Sequence, residues 1–317
     1  MGFQIATHIP QGALYQGVTF EVTQKVAGPM SWREIAWSGV RFSTPIAWEV
    51  AKIGPRYLLL ADQEEPAMEI KWERVKGRFS HRTALRRLRS VHGKTVQESP
   101  LPDEWKQILV GFTGMGFTWQ AETRGGRGAI LFCPACGNAT LIQFFRDFSS
   151  PSHKTCLRVL ASFQDHNPDD KVLWSIFDIR AETPAEYRLV RYRFEAGRFE
   201  MHFDKRGQQI TLYRWGPASA LLDNGNIAAF AAKAMRIQQS EWCVLHRTGY
   251  NAVQWEKSVS GDLWTRCRER LMRVPHFQWL RLWHLTEQNR LMGIGAKGNK
   301  TFQAKFLDRI CNAYESL

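Results

Sequence analysis

The sequence predicts an α+β protein with two related units, each an antiparallel β-meander followed by a helix, and a cysteine- and histidine-bearing segment inserted between them. Three observations lead there. Two stretches resemble each other, Trp37 to Trp72 and Trp174 to Trp215. Strand and helix periods run through and after them. A Cys-x-x-Cys pair lies in neither.

The chain has 317 residues, 44% hydrophobic and 23% charged, which is ordinary for a folded protein with a sizeable core. Each stretch opens on Trp-Ser and reaches a proline with an aromatic three residues on, Pro45 to Trp48 and Pro184 to Tyr187. A glycine then precedes a hydrophobic segment, Gly54 before Tyr57 to Leu60 and Gly197 before Phe199 to Phe203. Each segment ends in an acid, Asp62 or Asp204, and the interval from glycine to closing tryptophan is equal in the two. In the second stretch Phe199, Met201 and Phe203 alternate with Arg198, Glu200 and His202, the period of a half-buried strand. Ile210 and Leu212 continue it after a turn at Asp204-Lys205-Arg206-Gly207. A meander of this kind needs a cover for its apolar face. Leu85, Leu88 and Val91 recur at helical spacing, and residues 227–235, IAAFAAKAM, are strong helix formers. The expected segments are 1–112, the first unit with a basic helix; 113–165, the insert; 166–240, the second unit; and 241–317, mainly helical, basic and aromatic. Residues 104–111 read as a helix, and Gly114 to Gly128 as a glycine-rich loop.

Within the insert, Cys133-Pro134-Ala135-Cys136-Gly137 has the form of a zinc knuckle, in which a tight turn aims two thiolates at one point. His153 and Cys156 follow, completing C-x2-C-x16-H-x2-C. Ser152 is placed to cap a helix that would carry both on its first turn. Cys133, Cys136, His153 and Cys156 thus form a candidate tetrahedral zinc site. A knuckle, a strand and two ligands from a helix start resemble the treble-clef and zinc-ribbon classes of finger over about 24 residues. This resemblance implies a structural zinc in a zinc-finger-like segment. A redox Cys-x-x-Cys is the alternative. Catalytic zinc has no accompanying H-x-E or H-E-x-x-H motif. Cys243, Cys267 and Cys311 are scattered and read as core.

A net charge of +13 favours DNA or RNA, an acidic protein or an anionic surface as partner. Residues 71–94 hold nine Lys or Arg and one acid. Arg78, Arg82, Arg86, Arg87 and Arg89 are placed to meet phosphates while Leu85 and Leu88 are buried. Arg266, Arg270 and Arg273 interleave with Trp264, Phe277, Trp279 and Trp283 on expected helices. Such aromatics either stack on unpaired bases or pack in a core. Lys297 and Lys300 sit in an expected basic loop, residues 293–300. No run is apolar enough to span a bilayer, and no secretory or lipidation signal is seen. A cytoplasmic location is therefore expected. No nucleophile-elbow, kinase or complete P-loop motif occurs. His166, in Asp165-His166-Asn167, and His246 are weak acid–base candidates. The leading expectation is a non-enzymatic nucleic-acid-binding or scaffold protein with a structural zinc. An adaptor for an acidic protein, docking in a groove between the two units, and an enzyme acting on a nucleotide or nucleic acid are the alternatives.

Overall fold

The computed structural model describes residues 31–92, 95–121, 124–146, 152–166, 170–247, 250–258 and 275–317. The chain forms two compact units, Met1–Pro168 and Asp169–Leu317. Each contains a seven-stranded antiparallel sheet, and the strand order is the same in both.

The first unit opens on a hairpin, β1 (Trp32–Trp37) and β2 (Val40–Pro45). Ser38 and Gly39 turn it with positive φ at both positions, the backbone that matches strand twist in a two-residue turn. Strands β3 (Trp48–Gly54), β4 (Tyr57–Asp62) and β5 (Glu65–Arg74) follow as a meander. The helix α1 (His81–His92) comes next, then β6 (Gln97–Ser99), α2 (Asp103–Ile108), β7 (Thr113–Gln120), β8 (Gly125–Phe132), β9 (Asn138–Arg146) and α3 (His153–Ala161). The sheet runs β3-β4-β5-β9-β8-β7-β6. On one face Ala84, Leu85 and Leu88 of α1 pack on Phe117, Ile130 and Leu141. On the other, Trp105 of α2 meets Phe144 edge to face.

The second unit holds β10 (Lys171–Ile176), β11 (Ile179–Pro184), β12 (Arg188–Glu195), β13 (Arg198–Lys205) and β14 (Gln208–Trp215). Helices α4 (Ala218–Leu221) and α5 (Ile227–Met235) precede β15 (Cys243–Arg247), β16 (Tyr250–Ser258), β17 (Phe277–Leu285) and β18 (Arg290–Gly298). Helix α6 (Ala304–Asn312) and β19 (Glu315–Ser316), which pairs with β11, end the chain. The large sheet runs β12-β13-β14-β18-β17-β16-β15. Ile227 and Ala231 of α5 pack on Trp215, Val253, Leu282 and Leu291.

This architecture overturns the expected α+β class of meander-plus-helix units with an inserted finger. The protein is mostly β. Residues 113–165 are not an insert: β9 hydrogen-bonds to β5 from Met68↔Phe144 to Arg74↔Asn138, so the meander continues into one large sheet. Residues 241–317, expected to be mainly helical, supply five strands among the described residues, four of them in the large sheet. The glycine-rich segment from Gly114 is strand as well, because tight packing rather than turning requires its glycines. A Cβ on Gly128 would lie 2.4 Å from the Ile142 carbonyl oxygen, and one on Gly126 would lie 2.4 Å from Trp119 Nε1. Likewise residues 293–298, expected as a loop, belong to β18. No helix among the described residues is long and apolar enough to cross a membrane.

Candidate metal centre

The knuckle is the turn between β8 and β9. Cys133 N donates to Asn138 O at 2.9 Å, and Gly137 N donates to Cys133 O at 2.9 Å. Gly137 has φ +74°, a conformation that glycine adopts without steric cost. The turn is tied to the chain after β5, where Val75 N donates to Gly137 O at 2.9 Å.

A second segment meets the knuckle from beyond α3. Ser152 caps that helix, its side chain accepting from Thr155 N at 3.1 Å. After the helix, Gln164 and Arg41 exchange two backbone hydrogen bonds of 2.9 Å each, which fastens the segment to β2. Asn138 Nδ2 donates to Asp165 O at 2.9 Å. Asp165 and His166 are thereby held against Cys133 and Cys136.

One ligand atom from each of Cys133, Cys136, Asp165 and His166 lies within 4.8 Å of the other three. Cys136 Sγ donates to Asp165 Oδ2 at 3.1 Å, and His166 Nδ1 donates to Asp165 Oδ1 at 2.7 Å. Cys133 Sγ lies 3.8 Å from His166 Nδ1. Cys133 and Asp165 are buried, Cys136 is partly buried, and the imidazole is half exposed. Burial, and then the Asp165 carboxylate, push the Cys136 thiol up to about 12. A carboxylate 2% exposed is costly unless compensated, and here two protons, on Cys136 and His166, compensate it. A divalent cation could replace those protons. Two thiols, an imidazole and a carboxylate form a four-donor set that could hold a divalent metal ion.

Of the sequence-predicted ligands, the structure brings Cys133 and Cys136 together and places the other two elsewhere. His153 pairs through Nε2 with Glu104, and Arg127 Nη2 donates to its Nδ1 at 3.4 Å. Cys156 is buried in α3 beside Val159 and Leu160. Asp165 and His166 stand where His153 and Cys156 were expected. The signal for them was an acid and a histidine side by side, which the sequence presented only as a loop histidine.

Arg78 precedes α1, while Arg82, Arg86 and Arg89 are exposed on it and Arg87 is half-buried. Arg89 Nε donates to Val96 O at 3.0 Å. Lys297 and Lys300 are exposed at the end of β18 in the second unit. Arg266, Arg270 and Arg273, with Trp264, Cys267 and the His246 side chain, lie outside the described residues. Phe277, Trp279 and Trp283 are 2–5% exposed, so they pack in the core and present no ring to a base.

No family model and no curated protein matches the chain. Three solved structures give loose superpositions. One is a Bacteroides thetaiotaomicron protein, 14% identical, with 50% of this chain and 52% of that one covered and a TM-score of 0.27; the chain spans about half its length. Another is the apo immunity protein TplEi of the T6SS from Pseudomonas aeruginosa, 10% identical, with 90% and 97% covered and a TM-score of 0.34. The third is from the Tle4–Tli4 complex, 11% identical, with 85% and 97% covered and a TM-score of 0.33. At these scores the likeness carries no weight for fold or function.

Proposed function

We propose that this is a non-enzymatic binding protein, in which a structural zinc ion braces the first unit and the cation-rich face of α1 docks an acidic protein partner. The observation that carries the partner is a row of unpaired cations. Arg74, Lys76, Arg78, Arg82 and Arg86 are exposed, and none has an ion-pair partner among the described residues. Arg82 and Arg86 are one helical turn apart and share a face. Their forked guanidinium groups suit carboxylates. Exposed pairs contribute only about 0.2–1 kcal/mol each, so the row mainly supplies association rate and selectivity. A nucleic-acid partner would have phosphate contacts here, but the candidate stacking rings Phe277, Trp279 and Trp283 are buried in the second unit.

Zinc suits the brace because two thiolates favour a borderline ion and the four donors converge without a vacancy. It would be held by Cys133, Cys136, Asp165 and His166 and would join the β8–β9 turn to the segment after α3.

The R82E/R86E double variant is expected to capture its native-host partner at least about tenfold more slowly, with zinc content unchanged. Capture by the unaltered protein is expected to survive nuclease treatment. Loss on nuclease treatment would assign the surface to nucleic acid, and undiminished capture by the double variant would remove α1 from the interface.

A further inference from the structure

We infer that β12, the free edge of the second unit's large sheet, accepts an extended acidic and apolar segment of a partner protein as an added strand. The inference stands apart from α1 and does not depend on it.

The strand Arg188–Glu195 is hydrogen-bonded to β13 on one side and, among the described residues, ends the sheet on the other. Its eight residues make it the longest of the four strands that end the two large sheets; β3 has seven, β6 three and β15 five. An unpaired edge templates another strand, and proteins blunt such edges by shortness, proline, bulges and charge. β12 has no proline. Its one irregularity lies between Leu189 and Arg191, so Arg191–Glu195 keeps a regular ladder.

The side chains of that ladder separate by face. Arg191, Arg193 and Glu195 are exposed on one side, while Tyr192 and Phe194 are half-buried on the other. The two rings continue into a patch with Phe177 and Phe199. Phe194 lies 5.5 Å from Tyr192, 5.0 Å from Phe177 and 5.2 Å from Phe199, centroid to centroid. None of the four rings is fully buried. Phe177 reaches the patch from a residue with φ +54°, a costly conformation for an aromatic. There it packs on Phe194 and Phe199 and extends the apolar surface beside the β12 edge.

Charge selects the occupant. Arg188 and Arg191 have no carboxylate within ion-pair distance among the described residues, and Arg193 pairs with Glu195 at 2.5 Å and faces Glu200 across the strand pair. Like charges across a strand pair are unfavourable and opposite charges favourable. The arginines therefore favour a strand that sets Asp or Glu opposite Arg191 and Arg193. Alternate positions of that strand would place β-branched or aromatic residues against Tyr192 and Phe194. Main-chain bonds supply the affinity and these alternating contacts the choice of partner.

An eight-residue peptide of alternating Glu and Val is the probe, with a Lys and Val peptide as its control, read by fluorescence anisotropy on the full-length protein. The acidic peptide is expected to bind with Kd on the order of 10–100 μM and to slow amide exchange in β12. The control should bind at least about tenfold more weakly, and R191E/R193E should weaken the acidic peptide by a similar factor. The milder R191Q/R193Q should weaken it less, with an unchanged circular dichroism spectrum, and R82E/R86E should leave it unchanged. Several outcomes would overturn the inference: no binding of the acidic peptide at about 1 mM, equal binding of both peptides, no protection of β12, or loss of the peptide in the α1 variant.

Discussion

Stripping zinc with a chelator is expected to destabilise the first unit by about 4 kcal/mol, if free zinc in the loaded sample stands roughly a thousandfold above its dissociation constant. The comparison is denaturant unfolding of zinc-loaded and chelated protein. The C133S/C136S double variant should unfold near the chelated midpoint and should not respond to chelator. The effect is large because the ion would join two segments far apart in sequence and would compensate a carboxylate that is 2% exposed. Without it, the carboxylate has the Cys136 and His166 protons. Metal must displace those protons, and the thiol is held up to about 12 in their presence, so zinc affinity is expected to fall as pH falls. Equal midpoints with and without chelator would contradict a structural role.

Phe144→Ala is expected to cost about 3–5 kcal/mol and to weaken the whole first sheet. The side chain is 1% exposed and packs edge to face on Trp105, with ring centroids 6.0 Å apart. Its strand, β9, lies between β5 and β8. A cavity there loosens the ladder on both sides, so amide exchange should rise together in β3 to β5 and in β7 to β8. A rise confined to residues 113–165 would instead match a separate inserted finger and would contradict the continuous sheet.

What was legible in the sequence was local. The alternation of Phe199, Met201 and Phe203 marked a strand, the 227–235 run marked a helix, and Ser152 marked a helix start; each signal lies within a few neighbouring residues. The join of β5 to β9 has no local signal, because Met68 and Phe144 meet only through the sheet. β17 was misread for a different reason. FQWLRLWHL is apolar on both faces, as in a strand covered on both sides, and its period is lost. Arg281 within it is 8% exposed and pairs with Asp308 at 2.6 Å and Gln254 at 2.7 Å.

The candidate site was half legible for the same reason. The Cys133–Gly137 knuckle is a local turn with a recognisable form. Asp165 and His166 reach it only because α3 and the Arg41–Gln164 bridge carry the chain back. Adjacent ligands on an extended segment leave no spaced motif. His153-x-x-Cys156 did have a finger-like spacing, but α3 directs His153 to Glu104 and buries Cys156.

The ligand set is therefore tested most directly by the zinc content of two single variants, His166→Ala and His153→Ala, purified under identical conditions. His166→Ala is expected to lose most of its metal, while His153→Ala keeps about one zinc per chain. Loss of zinc from His153→Ala with retention in His166→Ala would contradict the Cys133, Cys136, Asp165 and His166 centre.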